Sequence, residues 1–175
     1  MPALSLPINY NWLEVYVDGE QIEVTEGKST IPQFVALRVE KELAGGKAMY
    51  SSKRFDTSEA TLTVMMPTGD AIAKSMQFNK IQRLSIQAAF QEEDLTSGNM
   101  TDSVIAWDMD VTFFGTEEHS IEPNSNGEFN MPYEAKSLRI SIDGVAIVNI
   151  DKRTGIFIVE NEDLAQAMRI AYGQI

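Results

Sequence analysis

Cysteine is absent from this chain, so neither a disulfide framework nor a thiolate metal site can form, and the redox compartment is left open. Histidine occurs once. His119 stands beside Glu117 and Glu118, with no companion of nitrogen or sulfur type for a metal and no spelled-out nucleophile for base catalysis, so a solvated surface side chain is expected. Basic residues are scarce: 14 Lys and Arg against 26 Asp and Glu give a formal net charge of −12. That balance argues against a protein that grips nucleic acid through its phosphates, because such affinity comes from cations that release counterions. DNA passing nearby would not adhere. Apolar runs such as VIAW and GIFIV fall far short of the roughly 20 residues that a membrane-crossing helix needs. The opening stretch MPALSLPINY carries two prolines and no basic residue, unlike a secretory leader. A soluble product without a membrane partner is therefore expected.

What the chain has in abundance is apolar–polar alternation, the mark of strands with one packed and one wet face. Its 175 residues, 43% of them hydrophobic, suffice for one domain spanning 1–175 with a real core. In NWLEVYV, Leu13, Val15 and Val17 share a side, and Asp18-Gly19 supplies the left-handed positions of a tight hairpin turn. The pattern returns 125 residues later as Leu138, Ile140, Ile142, Asp143-Gly144 and Ile147. Further strands are expected from Val35, Leu37 and Val39; from Ala60, Leu62, Val64 and Met66; from Leu84, Ile86, Ala88 and Phe90; and from Ile105, Trp107, Met109, Val111 and Phe113. Residues 67–80, with Thr68 or Asp70 as cap and Ile72, Ser75, Met76 and Asn79 at helical spacing, predict one flanking helix. A short C-terminal helix is expected after Asn161 as cap, with Glu162 and Asp163 in its first turn and Leu164, Met168 and Ala171 on its packed side. Met65, Met66, Met76, Met109 and Met168 are placed to fill a core. The fold class is mainly β.

Chemistry is hard to find. Asp108 and Asp110 share a strand face in the manner of paired acid–base carboxylates, but residues two apart on any wet strand look the same. AGGKAMY lacks the Gly-x-x-x-x-Gly-Lys-Ser/Thr order of a phosphate cradle. No catalytic residue, metal or cofactor is expected, and the chain does not read as an enzyme.

One segment stands out against this background. Residues 41–56 join two strands with a connection far longer than the two to five residues usual in hairpins, and long connections on compact domains commonly bind something. Lys41, Lys47, Lys53 and Arg54 outweigh Glu42 there, Gly45-Gly46 makes a hinge, and Leu43, Met49 and Tyr50 are apolar anchors. A cationic projection on an acidic body can dock onto the anionic flank of an identical copy, and head-to-tail contacts of that kind build rings or filaments.

The order of elements resembles the major tail tube proteins of contractile-tailed bacteriophages, a family whose architecture is shared by R-type bacteriocins and contractile injection systems. The likeness is strongest in SLRISIDGVAIVNIDKRTGIFIVENEDLAQAMRIAYGQI: a strand, an Asp-Gly turn, a strand ending in Ile-Asp, a short strand and a terminal helix. The resemblance implies a sandwich- or barrel-like β protomer that forms homohexameric rings, stacked into the hollow inner tube of a contractile tail. It also implies a sheath protein, a tape measure protein, baseplate and tail terminator proteins as partners, a place in the virion after assembly in the host cytoplasm, and a lumen through which DNA passes without specific binding. Residues 41–56 become the inter-ring contact. By alternation, Glu59, Thr61 and Thr63 on one strand and Asp108, Asp110 and Thr112 on another become the candidate lumen face, its carboxylates repelling phosphates over roughly 8 Å at physiological salt. Alternatives of the same fold are a tube or ring component of a bacteriocin, injection or secretion system, and a tail-completion protein.

Overall fold

A computed structural model describes residues 5–22, 28–29, 31–43, 46–65, 69–94, 98–117 and 128–171. The chain runs β1 (Ser5–Val17), β2 (Glu20–Ile22), β3 (Lys28–Ser29), β4 (Phe34–Leu43), β5 (Gly46–Thr57), β6 (Ala60–Met65), α1 (Gly69–Ser75), β7 (Gln82–Asp94), β8 (Met100–Phe113), β9 (Glu128–Ile142), β10 (Val145–Asp151), β11 (Ile156–Val159), β12 (Glu162–Asp163) and α2 (Gln166–Ala171). Ten strands form one sheet in the order β12-β11-β10-β9-β8-β7-β1-β2, with β6 on β9 and β3 on β6, while β4 and β5 pair only with each other. The fold is mainly β, and every described pairing is antiparallel.

Alternation decides which side of this sheet is buried. Val15 and Val17, Leu84 and Ile86, Met109, Val111 and Phe113, and Ala60, Leu62 and Val64 point inward into one core with Phe129, Met131, Tyr133 and Ala135. Four strand spacings separate β6 from β1, about 19 Å if the sheet were flat. The inward residues of β1, β7, β8, β9 and β6 are almost fully buried in one continuous cluster, so the sheet curls over this side. Strand β9 makes the curl possible. Its second half pairs with β8 on one edge and β10 on the other, and its first half pairs with β6, the register slipping by one residue at Lys136. Such a bulge bends a strand and keeps both halves facing inward: Ala135 before it and Leu138 after it are both buried. Helix α1 lies against the core through Ile72 and is tied to the sheet by buried Gln82, whose amide nitrogen donates to the Lys74 carbonyl (2.8 Å).

The two Asp-Gly hairpins form as the sequence predicts. Asp18 and Asp143 have φ of 51° and 48°, Gly19 and Gly144 of 81° and 80°, the paired left-handed residues of a two-residue turn. Each aspartate also clamps the neighbouring strand by the same two bonds. The Asp18 amide donates to the Arg83 carbonyl (2.8 Å) and its carboxylate accepts from the Arg83 amide (2.9 Å); Asp143 does likewise with Val104 (2.9 and 2.8 Å). The repeat breaks at one point: Val15 pairs with Ile22, but a bulge at Ile147 moves the partner of Ile140 to Val148.

Both helices differ from expectation. The α1 helix stops at Ser75, whose hydroxyl donates to the Ile72 carbonyl, and Met76 is exposed instead of core-filling. Asn161 is no helix cap: at φ 69° it forms, with Glu160, the β11–β12 turn, which places Glu162 and Asp163 in a strand. The helix begins at Gln166, preceded by Asp163, whose carboxylate accepts from the Ala165 amide and pairs with Arg169; Leu164 is exposed and Ala165 is buried in its stead. Met66 and His119 lie outside the described residues.

The clamp at Asp18 gives a titration test. The Arg83 amide, together with Lys80, holds its carboxyl below the usual carboxylate range against an opposing effect of burial. A carboxyl lowered in the folded state contributes stability that is present above its unfolded pKa and lost as pH falls through the folded value. Asp18→Ala should therefore cost about 1 kcal/mol or more at neutral pH, part of it the pH-independent strain of alanine at φ 51°, with the gap to wild type narrowing in acid below pH ~4. Urea unfolding at a series of pH values measures it; a gap unchanged at pH 3 would refute the clamp.

Candidate assembly surfaces

Residues 41–56 are not a loop. They belong to the β4–β5 ribbon, paired from Phe34↔Thr57 to Leu43↔Gly46, which joins no strand of the main sheet among the described residues. A ribbon of this length with both edges unpaired is an arm. Its base is fixed by the Ser58 amide to the Gln33 carbonyl (3.0 Å), by the Gln33 amide to Ser58 Oγ (2.9 Å), and by Phe34 packing on the core. The arm is irregular in the middle: Ala36 pairs with Phe55 but Arg38 with Ser51, so Lys53 and Arg54 fall in a bulge opposite Leu37.

The charges of the arm divide accordingly. Lys47 pairs with Glu40 across the strands (2.7 Å), and Lys41 and Glu42 alternate beside them, so the outer part of the arm is balanced in charge. The positive surplus belongs to Arg38, Lys53 and Arg54, closer to the base. Met49 is 60% exposed, as an anchor without a partner in its own chain should be. Tyr50 pairs through its backbone with Val39, Gly46 turns at φ 128°, and Gly45 lies outside the described residues.

A lysine also ties the base of the arm to the body. Lys152 Nζ donates to Thr57 Oγ1 at the end of β5 (2.7 Å) and to Glu134 Oε1 on β9 (3.3 Å), with Asp56 Oδ1 at 3.7 Å. Glu134 is also held by Lys136 (2.5 Å), and the Lys136 hydrogen bond, aided by Lys152, lowers its pKa against burial.

The candidate lumen residues all lie on the side of the sheet away from the core. On β8, Asp108 faces Arg139 and Asp110 faces Ser137 across the β9 ladder, and Thr112 faces Glu134. Thr61 and Thr63 occupy the same side of β6, beyond the bend of β9, where Thr63 Oγ1 donates to Asn130 Oδ1 (2.8 Å); Glu59 is exposed at the turn before them. The face is less anionic than alternation suggests. Arg153 binds Asp110 (2.6 Å) and Asp151 (3.2 Å); burial raises the Asp151 pKa, but the hydrogen bonds and charge of Arg153 with the Thr154 amide together bring it below the ordinary value. Arg83 and Arg139 flank the same carboxylates. Asp110 is thus ion-paired through Arg153, and Asp108 lies in register with Arg139.

A third surface is a strand edge. Strand β1 pairs with β7 along its whole length, but β2 covers only Val15–Val17, so the other edge of 5–14 has no partner among the described residues. Such an edge is a template for another strand. Among the described residues no group of acidic or histidine side chains could hold a metal, and no helix is long and apolar enough to cross a membrane.

An arm, an open strand edge and a charged outer face are thus the surface features that the described residues present. The sequence matches the family model of phage tail tube protein FII over residues 10–173, and the chain belongs to that family. It is a structural component of a tail tube, not an enzyme. A search of curated proteins gave no significant match. Among solved structures, the fold is similar to the sheath/tube terminator of an extracellular contractile injection system, PVC, in the extended state (TM-score 0.53, 14% identity, 78% of this chain and 96% of that one). It is also similar to a chain of the PVC sheath–tube complex (0.52, 14%, 78% and 90%) and of the anti-feeding prophage tube-terminating cap (0.51, 15%, 80% and 93%).

Removing the pin should loosen the arm without unfolding the body. Lys152→Met is expected to raise the rate of limited proteolysis within 34–57 by about tenfold, a loss of order 1.4 kcal/mol in arm docking, while leaving the thermal midpoint within a few degrees. Unchanged cleavage would show that Lys152 does not hold the arm.

Proposed function

We propose that this chain forms homohexameric rings that stack into the inner tube of a contractile phage tail, assembled in the host cytoplasm and carried in the virion. The observation that carries this reading is the β4–β5 arm: a family member with a two-stranded ribbon that none of its own described strands pairs has a segment suited to the next ring. Lys41, Leu43, Gly45, Gly46, Lys47, Met49, Tyr50, Lys53 and Arg54 make that contact. Around each ring, the open edge of β1 is closed by a strand of the neighbour, which removes the hazard of uncontrolled pairing. The similar chain from a sheath–tube complex supports a sheath as outer partner, and tape measure, baseplate and terminator proteins complete the tail.

The outer face of β8 and β6 lines the lumen, with Glu59, Thr61, Thr63, Asp108, Asp110 and Thr112 toward the passage. Its non-adhesiveness to DNA comes from pairing more than from bulk negative charge. A phosphate that approaches Arg153 must compete with two carboxylates already bound to it. Asp108→Lys with Asp110→Lys should leave tubes assembled yet slow DNA delivery; normal infectivity of particles with such tubes would remove these residues from the lumen.

Terminator and cap chains of similar fold favour one second reading, a component that closes a tube as a single ring. Negative-stain microscopy of the purified chain separates the two: open-ended tubes support the main reading, and isolated rings at every concentration support the other. Deleting residues 43–51 should leave a folded protein that forms no tubes, and long tubes from that variant would show that the arm is not the stacking element.

A further inference from the structure

Two exposed apolar patches stand at opposite ends of the β7–β8 ladder, both on its solvent side. Near α1, Phe78, Ile81 and Phe114 are each about half exposed. They adjoin one another: the Phe78 ring covers Gly115, where a Cβ would lie only 3.0 Å from it, and Ile81 extends the register that sets Gln82 opposite Val111. Exposed Arg83 borders this end, as does Lys80, which is bonded to Asp18 of its own chain (3.1 Å). At the far end Met100 is 62% and Val104 44% exposed, alternating along β8 with exposed Asp102, and Glu93 stands opposite Met100. No lysine or arginine occurs between Arg83 and Lys136, so the ladder's far end carries carboxylates alone.

The two ends complement each other, and one protomer cannot join its own. The ladder of 12 residue pairs from Gln82↔Val111 to Glu93↔Met100 spans about 40 Å. We propose that the Phe78–Ile81–Phe114 patch of one protomer seats on the Met100–Val104 patch of a protomer in the next ring, with Arg83 against Asp102 and Glu93. A contact between two different surfaces of identical copies does not close on itself and propagates along an axis. Each patch is small, but every subunit of a ring makes the contact at once, so weak single contacts sum to a firm junction. This inference rests on the tube reading and adds to the arm a second stacking contact, which fixes the polarity of growth.

Ile81→Lys disables the α1 end and Met100→Lys the far end, both at exposed positions. With the arm intact, each variant should keep the wild-type thermal midpoint and raise the critical concentration for tube growth by about tenfold or more. Mixing the two variants should give paired rings and no long tubes, because only one of the possible junctions then has two sound patches. Should either lysine variant fail to fold, the charge swap replaces it: Arg83→Glu and Asp102→Arg each weaken growth, and the double variant restores it. Tubes from folded Ile81→Lys or Met100→Lys at the wild-type critical concentration, or a double swap no better than the singles, would overturn this contact and leave the tube reading standing. A wild-type chain that never grows beyond single rings would overturn both.

Discussion

The structure depends on β9 serving two ladders at once. At Tyr133 the strand is paired on one edge with Ala60 and on the other with Phe113, and its fully buried ring meets Phe113 edge to face at a centroid distance of 5.9 Å. Aromatic pairs of this geometry add to their burial energy. The bulge at Lys136 then lets one strand keep its buried side inward through a bend that a regular strand could not make. Without that bend β6 would lie flat beside β10 instead of turning its core side chains into the cluster. The same bend brings the end of β10 next to the root of the arm, which is why Lys152 can hold Thr57 and Glu134 together. Core packing and arm placement therefore share one cause.

Charge is arranged on this frame by position more than by amount. The excess of acid in the composition does not yield a uniformly negative surface, since the carboxylates nearest the arm root are bound by Lys136, Lys152 and Arg153. These half-exposed pairs stabilise the monomer little individually. Their larger effect is on recognition: a paired cation is a poor phosphate ligand, whereas the cation-free stretch at the far end of β7 and β8 keeps its carboxylates available to a partner.

Much of the fold was legible in the sequence because alternation reports which side of a strand is dry. Val15, Leu84, Met109 and Leu62 are buried where their spacing placed them, and Asp-Gly demanded its turn twice. Only part of the arm was legible. Val35, Leu37 and Val39 announced its first strand, but the register slip between Ala36 and Arg38 interrupts the pattern, and Gly45-Gly46 with scattered lysines looks like a loop. Asn161 misled because asparagine suits both a helix cap and a left-handed turn position, and only the pairing of Val159 with Glu162 decides between them. The Asp110–Arg153 pair joins residues 43 apart. Alternation names the side on which Asp110 lies but cannot name its neighbour.

What the described residues expose has a common explanation in the proposed assembly. An enzyme of this size would gather polar groups in a concavity and shield them from water. Here, among the described residues, charged groups lie on an outer face, a ten-stranded sheet leaves most of one β1 edge open, and a two-stranded arm pairs with nothing in its own chain. Each of these would be a liability in a solitary protein, since open edges and apolar anchors such as Met49 invite indiscriminate association. In the proposed tube each of these elements would be covered by another copy, edges within a ring and arms and ladder ends between rings.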